Sequence, residues 1–453
     1  MRDAHISRGG VFSADPRRVA LAVLRAAGEG AAPEEVLNRD GVMLSQRDRA
    51  LASAMVYACL RHQSRLDYLL DRKLNSPSGT PSLVRVILRL GLAQLLFFDR
   101  LAHHAVVNET TELTKKFAPG REGLVNAVLR SFALDKENGP YWPVEEDGAQ
   151  TPLARRLSVF YSHPQWMVDK FLDEWGFRET RAFLVAGNRS APPTLRVNTG
   201  LITRDDLKAM LPFPALATRY SPWGLAPLEF VGHPDTWPGY HEGYFSIQDE
   251  ASQVAGLLFG RGRRMLDLCA GLGGKSLAFK ILNPLADVVA VDLSDSKLTR
   301  LKEEYQRLRL PGGPECRTAD VLVQKFQPSF DLVYLDPPCS SLGVIRRRPD
   351  IKWKKREEDV ETLAALQKIL LYSAARAVIP GGRLIYSVCT VTDEEGPGVV
   401  ADFLVRRPDF VLRDDFPEAL RDARLAPGML RFLPHRHGTD GFFYAVLERR
   451  GSP

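Results

Sequence analysis

Two cysteines stand at the ends of short apolar segments in the carboxyl-terminal half of the chain. Cys339 lies in the sequence Asp336-Pro-Pro-Cys-Ser340, which follows the apolar run FDLVYL, and Cys389 directly follows GRLIYSV. The two apolar segments are expected to be neighbouring strands of one sheet, so we expect the two cysteines, 50 positions apart, to meet over one cleft. A cysteine thiolate is a strong nucleophile that also leaves readily, so such a pair can serve covalent catalysis. The alternative is that each is a small buried apolar residue.

A glycine-rich turn runs from Asp267 to Ser276 (DLCAGLGGKS), between an apolar segment and a helical one. Its glycines allow the backbone to approach a bound ligand closely. A Walker A loop would need glycine in place of Cys269, and the dinucleotide fingerprint would need glycine in place of Ser276. The turn is therefore typical of methyltransferases, whose cofactor has no pyrophosphate. The candidate cofactor-binding residues of this turn are Cys269, Ala270, Gly271, Leu272, Gly273, Gly274 and Lys275.

Two acidic residues follow the turn in the order that a cofactor site requires. Asp292 ends the apolar segment VVAVD, where a carboxylate can accept hydrogen bonds from both ribose hydroxyls. Asp320, in the next connection, is placed to reach the edge of an adenine. Either feature alone could be structural, but together they predict an S-adenosyl-L-methionine site.

The two cysteines and this cofactor suggest methylation of a pyrimidine carbon. Cytosine C5 does not attack a methyl sulfonium directly, but adding a thiolate to C6 makes C5 an enamine carbon that can. Ring atom N3 then needs a proton or a hydrogen bond, which Asp336 is positioned to provide. A base must next remove the C5 proton, and the second cysteine could assist. Enzymes that methylate amino groups share the Asp-Pro-Pro start but carry an aromatic residue where Cys339 stands.

A basic strip with one tryptophan follows the Cys339 motif, between Arg346 and Arg356. Such a strip can neutralise phosphates and stack on an unpaired base. The alternative is a solvated loop and helix start. A cytosine that reaches both cysteines must leave its stack, so we expect a loop or junction in folded RNA as the substrate. The predicted RNA contacts are Arg346, Arg347, Arg348, Lys352 and Trp353.

Length and composition limit the remaining possibilities. A chain of 453 residues with 45% hydrophobic residues is expected to form two or three globular domains. Five cysteines without a C-x-x-C spacing argue against disulfides and against a zinc site, and they fit a reducing cytoplasm. The first residues do not show the continuous apolar core of a signal peptide, and the sequence has no long uncharged apolar stretch, so we expect neither a signal peptide nor a membrane helix. We expect a cytoplasmic protein with no metal and no membrane span.

The chain divides into three predicted domains by its periodicity. Residues 1–140 show helical spacing of apolar residues, in runs such as Gln46–Leu60 and Leu83–Phe98. A polar, turn-rich linker at 135–150 leads to a small α+β domain at 150–240. Residues 241–453 alternate strands and helices, which predicts a doubly wound, Rossmann-like α/β domain. The strands predicted for it are Arg264–Leu268, Val288–Asp292, Asp331–Leu335, Arg383–Val388 and Gly441–Leu447.

These motifs resemble those of RsmB-type ribosomal RNA (cytosine-C5)-methyltransferases of the Nop/Sun family. The resemblance is carried by FSIQDEASQVAG, DLCAGLGGKS, VDLS, DLVYLDPPCSSLGVIRRRPDIKW, LIYSVCTVTDEEG and DGFFYAVLER. The segments QRDRA and AVVNETTELTKKF, with GLVNAVLRSF, resemble the helical RNA-binding domain of the NusB family, which RsmB-type enzymes carry at the amino end.

The resemblance implies a role for each motif. Cys389 would be the nucleophile and Cys339 would promote product release, while Asp336 would touch both cofactor and target base. The cofactor would be S-adenosyl-L-methionine, the substrate 16S ribosomal RNA and the protein a monomer. The family usually has Ala-Pro where Gly271-Leu272 stands, and losing the proline could weaken cofactor affinity.

Three alternatives remain open from the sequence. The chain could be a catalytically inactive RNA-binding factor in ribosome assembly. It could methylate C5 of cytosine in another RNA, such as tRNA. It could also methylate an amino group, although the residue after Asp-Pro-Pro disfavours this.

Overall fold

The structure is a computed structural model that describes residues 15–137, 151–229, 232–260 and 262–451. Its contacts divide the chain into two compact units. The first comprises Met1–Leu184 with Lys352–Lys354, and the second comprises Val185–Ile351 with Lys355–Pro453. Most of the predicted linker, residues 138–150, lies outside the described residues, and the three predicted domain boundaries remain predictions.

The first unit is helical throughout its described residues. Its helices are α1 (Pro16–Gly28), α2 (Pro33–Asp40), α3 (Gln46–Arg61), α4 (Gln63–Asp71), α5 (Ser82–Phe97), α6 (His103–Phe117), α7 (Glu122–Glu137), α8 (Leu153–Phe160) and α9 (Gln165–Gly187). Local chemistry sets their ends: Asp15 caps α1 by accepting from the Arg17 amide at 2.9 Å, and Pro16 occupies the first turn. The apolar faces of α1 to α7 meet in one core. Helix α9 breaks at Gly176, whose φ is 73°.

The second unit begins with a small antiparallel sheet. Its strands are β1 (Leu195–Val197), β2 (Ala215–Ala217), β3 (Gly224–Pro227) and β4 (Phe245–Ile247), in the order β2-β3-β1-β4. Helix α10 (Arg204–Met210) follows β1, with Thr203 as its cap. Leu207 and Trp237 pack with Phe245 in the core of this sheet.

A larger sheet follows, in the order β11-β12-β13-β9-β8-β5-β6-β7, with β10 beside β13. Strands β5 to β9 pair in parallel, whereas β10 to β13 pair antiparallel. The strands are β5 (Arg264–Leu268), β6 (Asp287–Asp292), β7 (Glu315–Thr318), β8 (Phe330–Leu335), β9 (Val378–Val388), β10 (Phe410–Leu412), β11 (Arg424–Ala426), β12 (Met429–Phe432) and β13 (Phe442–Arg449). The helices of this part are α11 (Glu250–Gln253), α12 (Ala255–Leu258), α13 (Gly274–Leu282), α14 (Asp295–Arg307), α16 (Glu357–Ala374), α17 (Pro397–Arg406) and α18 (Pro434–His437). The short helix α15 (Ile351–Lys354) has its last three residues in the first unit.

The predicted fold class is confirmed by this architecture. The central strands are continuous apolar runs because helices cover both faces of a parallel sheet. The prediction placed no strand at β7, β10, β11 or β12, which are only three or four residues long and partly polar. Among the described residues, no helix combines the length and the apolar character that crossing a bilayer would require.

Candidate active site

The carboxyl ends of β5, β8 and β9 bring three of the predicted motifs to one edge of the sheet. Leu268 pairs with Leu335 across β5 and β8, and Leu335 pairs with Tyr386 across β8 and β9. Strands β5 and β8 end at these positions, and β9 ends two residues after Tyr386. The glycine-rich turn, the Asp-Pro-Pro-Cys motif and Cys389 therefore start side by side, where ligands bind in open α/β sheets.

The two cysteines predicted to meet are in direct contact. The sulfurs of Cys339 and Cys389 lie 3.3 Å apart, although the residues are 50 positions apart in the sequence. Both are free and partly exposed. The hydroxyl of Ser341 lies 3.5 Å from the sulfur of Cys389 and 3.7 Å from that of Cys339. Sequence reasoning did not select Ser341, although its place two residues after Cys339 was a signal.

The contact makes the two thiols chemically different. The hydrogen bond with Cys339 lowers the pKa of Cys389 below that of an ordinary thiol, against the opposing effect of burial. The same hydrogen bond, together with burial, raises the pKa of Cys339 well above its ordinary value. The arrangement therefore favours a thiolate at Cys389, with the proton held at Cys339.

Asp336 and Lys275 form an ion pair beside the thiols. Burial lowers the pKa of Lys275, but the charge and hydrogen bond of Asp336 outweigh it, so the pKa lies above the ordinary lysine value. The ammonium group also contributes to the lowered pKa of Cys389. Lys275 thus belongs to the environment of the nucleophile as well as to the cofactor turn, a role that sequence reasoning missed.

The cofactor turn adopts the backbone conformation that its glycines permit. Cys269, Gly271 and Gly273 have φ angles of 60°, 57° and 78°. A Cβ atom at Gly273 would lie 2.4 Å from the side chain of Leu301, so no other residue fits there without a shift. Burial raises the pKa of Cys269 to about 12, which makes its thiol a poor nucleophile.

Two carboxylates, those of Asp292 and Asp267, bind residues of this turn, and a third predicted one follows the next strand. Asp292 accepts from the amides of Gly271 at 2.8 Å and Ser294 at 2.9 Å, which fixes it at the end of β6. Asp320 follows β7, the neighbour of β6, so the two predicted cofactor acids lie on adjacent strands. Asp267, which sequence reasoning did not select, is buried and accepts from the Ser276 amide and hydroxyl. Asp292 and Asp320 could accept hydrogen bonds from the hydroxyls and the base of a nucleoside cofactor.

Arg346 and Arg347, two members of the predicted basic strip, are paired within the protein. Both guanidinium groups bind the carboxylates of Asp249 and Asp440, at distances between 2.6 and 3.3 Å. Their side chains are 11% and 26% exposed, compared with 50% for Arg348. Of these three arginines, Arg348 presents the most charge to a phosphate.

Lys352 and Trp353 belong to the first unit. Lys352 is fully buried, and its ammonium donates to the carbonyls of Arg61 and Ser162 at 3.0 and 2.8 Å. The indole N–H of Trp353 donates to the Leu60 carbonyl at 2.6 Å, and its ring packs on the helical core. This corrects the prediction of Lys352 as an RNA contact, because a buried ammonium already bound to carbonyls cannot reach a phosphate. Most of the Trp353 side chain is likewise used in packing against the helical core.

Three family models match the chain in succession. The model described as "NusB family" matches residues 14–134, the "Methyltr_RsmF/B-like, ferredoxin-like domain" matches 163–225, and "16S rRNA methyltransferase RsmB/F" matches 257–448. Their order is the order of helical region, small antiparallel sheet and large sheet along the chain.

Relatives match over nearly the whole length. Ribosomal RNA small subunit methyltransferase B of Vibrio cholerae is 35% identical over 413 residues, covering 89% of this chain and 90% of the relative. The protein of the same name from Klebsiella pneumoniae is 32% identical and covers 90% of this chain and 91% of the relative. The crystal structure of PH0851 shares the fold with a TM-score of 0.79 and 24% identity, covering 98% of this chain and all of that one. The chain belongs to the RsmB/F family of 16S rRNA methyltransferases.

Proposed function

We propose that this protein methylates C5 of a cytosine in 16S ribosomal RNA, with S-adenosyl-L-methionine as methyl donor. The observation that carries the proposal is the contact between Cys339 and Cys389 at the carboxyl edge of the sheet, 3.3 Å from sulfur to sulfur. Nothing in an amino-group methyltransferase needs two thiols in contact. Family membership supports the choice of 16S RNA, since the relatives are named for the small ribosomal subunit.

The cofactor would lie on the turn from Cys269 to Gly274, with Asp292 accepting from its ribose and Asp320 near its adenine. The left-handed backbone at Gly271, where no atom lies within 4 Å of the position a Cβ would take, leaves room for a ligand close to the main chain. S-Adenosyl-L-methionine would supply a methyl group on a positively charged sulfur.

The residues of the chain have separate roles in the covalent steps. The thiolate of Cys389 bonds to C6 of cytosine as N3 takes up a proton from solvent, and C5 becomes nucleophilic. Asp336, paired with Lys275, holds this proton by accepting a hydrogen bond from N3–H, and N3 returns the proton to solvent when the bond between C6 and sulfur breaks. After C5 has taken the methyl group, the C5 proton passes to solvent and its electron pair restores the double bond of the ring. The bond between C6 and sulfur breaks, and the Cys339 thiol stabilises the departing Cys389 thiolate by a hydrogen bond.

The experiment compares the wild-type protein with Cys389→Ala. Small ribosomal subunits from cells that lack the enzyme would be incubated with each protein and the cofactor, and the RNA would be sequenced after bisulfite treatment. We expect one cytosine to become resistant with the wild type and none with Cys389→Ala. Full activity of Cys389→Ala would overturn the assignment of the nucleophile. A wild-type protein that binds the subunit without methylating it would favour an assembly factor instead.

A further inference from the structure

A buried carboxylate ties together the two loops that carry the cysteines. Glu395 is fully buried in the segment that follows Cys389. One carboxylate oxygen accepts from the Ser340 amide at 2.7 Å and from the Gln367 amide group at 3.0 Å. The other accepts from the Thr392 hydroxyl at 3.0 Å and from the Ser340 hydroxyl. One side chain thus satisfies four donors away from water.

The partners of Glu395 are the neighbours of the cysteines in the sequence. Ser340 directly follows Cys339, and its hydroxyl also lies 2.7 Å from that of Thr390, which directly follows Cys389. Gln367 reaches the residue on the other side of Cys339, because it also donates to the Pro338 carbonyl at 2.9 Å.

Tyr386 anchors the network to the sheet. Its hydroxyl lies 2.6 Å from the Glu395 carbonyl oxygen and 3.0 Å from the Gln367 side-chain oxygen. Its one hydrogen can be donated to either of these two oxygens. Tyr386 belongs to β9 and holds the main chain of Glu395, whereas Gln367 belongs to α16 and holds its carboxylate. A buried network in which the members satisfy one another holds a single geometry.

We propose that Glu395 is a positioning residue that holds the loops of Cys339 and Cys389 in register, so that their sulfurs stay in contact. Removing it would leave the Ser340 amide and one of the two N–H groups of the Gln367 amide without an acceptor in the buried interior, so the two loops would shift to satisfy them. The charge of Glu395 also contributes to the raised pKa of Cys339, after the effects of Cys389 and of burial. Glu395 therefore supports both the short distance between the two sulfurs and the difference between the pKa values of the two thiols.

The decisive variant is Glu395→Gln, which keeps the shape but removes one acceptor and adds two donors toward the Ser340 and Thr392 hydroxyls. Only the predicted effects on kcat and KM rest on the function proposed above. We expect kcat to fall about 100-fold, the size of effect that misplacing a reacting group by about 1 Å produces. The KM values for cofactor and RNA should stay within about twofold, since neither binding surface changes.

A second readout needs no RNA and no methylation. The rate of alkylation by iodoacetamide would be followed at Cys339 and Cys389 separately by mass spectrometry, as a function of pH. We expect the Cys389 profile to move to higher pH in Glu395→Gln, and the Cys339 profile to move to lower pH. Glu361→Gln, an exposed change on α16, is the matched control and should leave both profiles unchanged.

Ser340→Ala provides a milder test if Glu395→Gln does not fold. It removes one donor to Glu395 and the link to Thr390 while keeping the backbone bond, so it should move the Cys389 profile in the same direction by a smaller amount. Folded variants with wild-type profiles and wild-type kcat would overturn the positioning role. Absence of methylation by the wild type, combined with shifted alkylation profiles in the variants, would overturn the proposed function and leave the positioning role standing.

Discussion

Arg196 donates a hydrogen bond of 2.6 Å to the carbonyl of Gly274, the residue at which helix α13 begins after the cofactor turn. The guanidinium also binds the Gln248 side chain at 2.7 Å, and it is almost fully buried. Burial lowers its pKa to about 10, which leaves the group charged at neutral pH. A residue of the small antiparallel sheet thus braces the turn expected to hold the cofactor.

Replacing Arg196 should weaken cofactor binding. Arg196→Met removes the donors to Gly274 and Gln248, whose acceptor atoms are partly buried, so the turn loses a fixed position. We expect the Kd for S-adenosyl-L-methionine to rise about tenfold, equivalent to about 1.4 kcal/mol, with a small drop in Tm. Isothermal titration calorimetry measures this, with the exposed Lys208→Met as control. An unchanged Kd would mean that the turn keeps its shape without Arg196.

Replacing Cys339 should trap the reaction after the covalent bond has formed. Without its thiol, the departing sulfur of Cys389 loses the hydrogen bond that spans 3.3 Å. Cys339→Ala should therefore accumulate a protein–RNA adduct that survives a denaturing gel. The double variant with Cys389→Ala should show none, and an adduct in the double variant would contradict the assignment of Cys389 as nucleophile.

The pH dependence of the reaction should report the lowered pKa of Cys389. The reactive thiolate forms as pH rises through this pKa, so the single-turnover rate should rise with pH and level off below the pH at which an ordinary thiol ionises. In Cys339→Ala the main cause of the lowering is absent, so the rise of adduct formation should move to higher pH. A rise at the same pH in both proteins would show that Cys339 does not tune Cys389.

Asp267 should make the stability of the fold depend on pH. Burial raises its pKa to about 7, while the ordinary value is 3.8. Between these values the folded protein binds more protons than the unfolded chain, so the contribution to stability is present below about pH 4 and is lost as pH rises to about 7. Asp267→Asn should flatten this decline in chemical denaturation between about pH 4 and pH 7. Parallel declines in both proteins would place the cause elsewhere.

The basic strip can be tested by the salt dependence of RNA binding. Arg348→Ala should lower affinity and reduce the slope of log K against log salt by about one, the loss expected for one phosphate contact. Lys352→Met should leave the slope unchanged, because this ammonium is buried against two backbone carbonyls. A reduced slope in Lys352→Met would contradict the correction made above.

The sequence by itself determined the features that depend on neighbours along the chain. Continuous apolar runs predicted β5, β6, β8 and β9, because a parallel strand is buried on both faces. Parallel neighbours end at a common edge, so the prediction that Cys339 and Cys389 meet followed from strand order and is borne out by their contact. The glycine turn was recognisable because its conformation demands particular residues at fixed positions.

Only the tertiary structure decided which charged side chains are paired with other residues of the protein and which remain exposed. Arg346 and Arg347 looked like phosphate ligands in the sequence, but their partners Asp249 and Asp440 lie more than 90 positions away. Contacts with residues that are distant in the sequence also bury Lys352, join Arg196 to the cofactor turn and form the network around Glu395. Composition and spacing report what a side chain can do, whereas the pairing of a charge depends on which distant segments the packed core brings beside it.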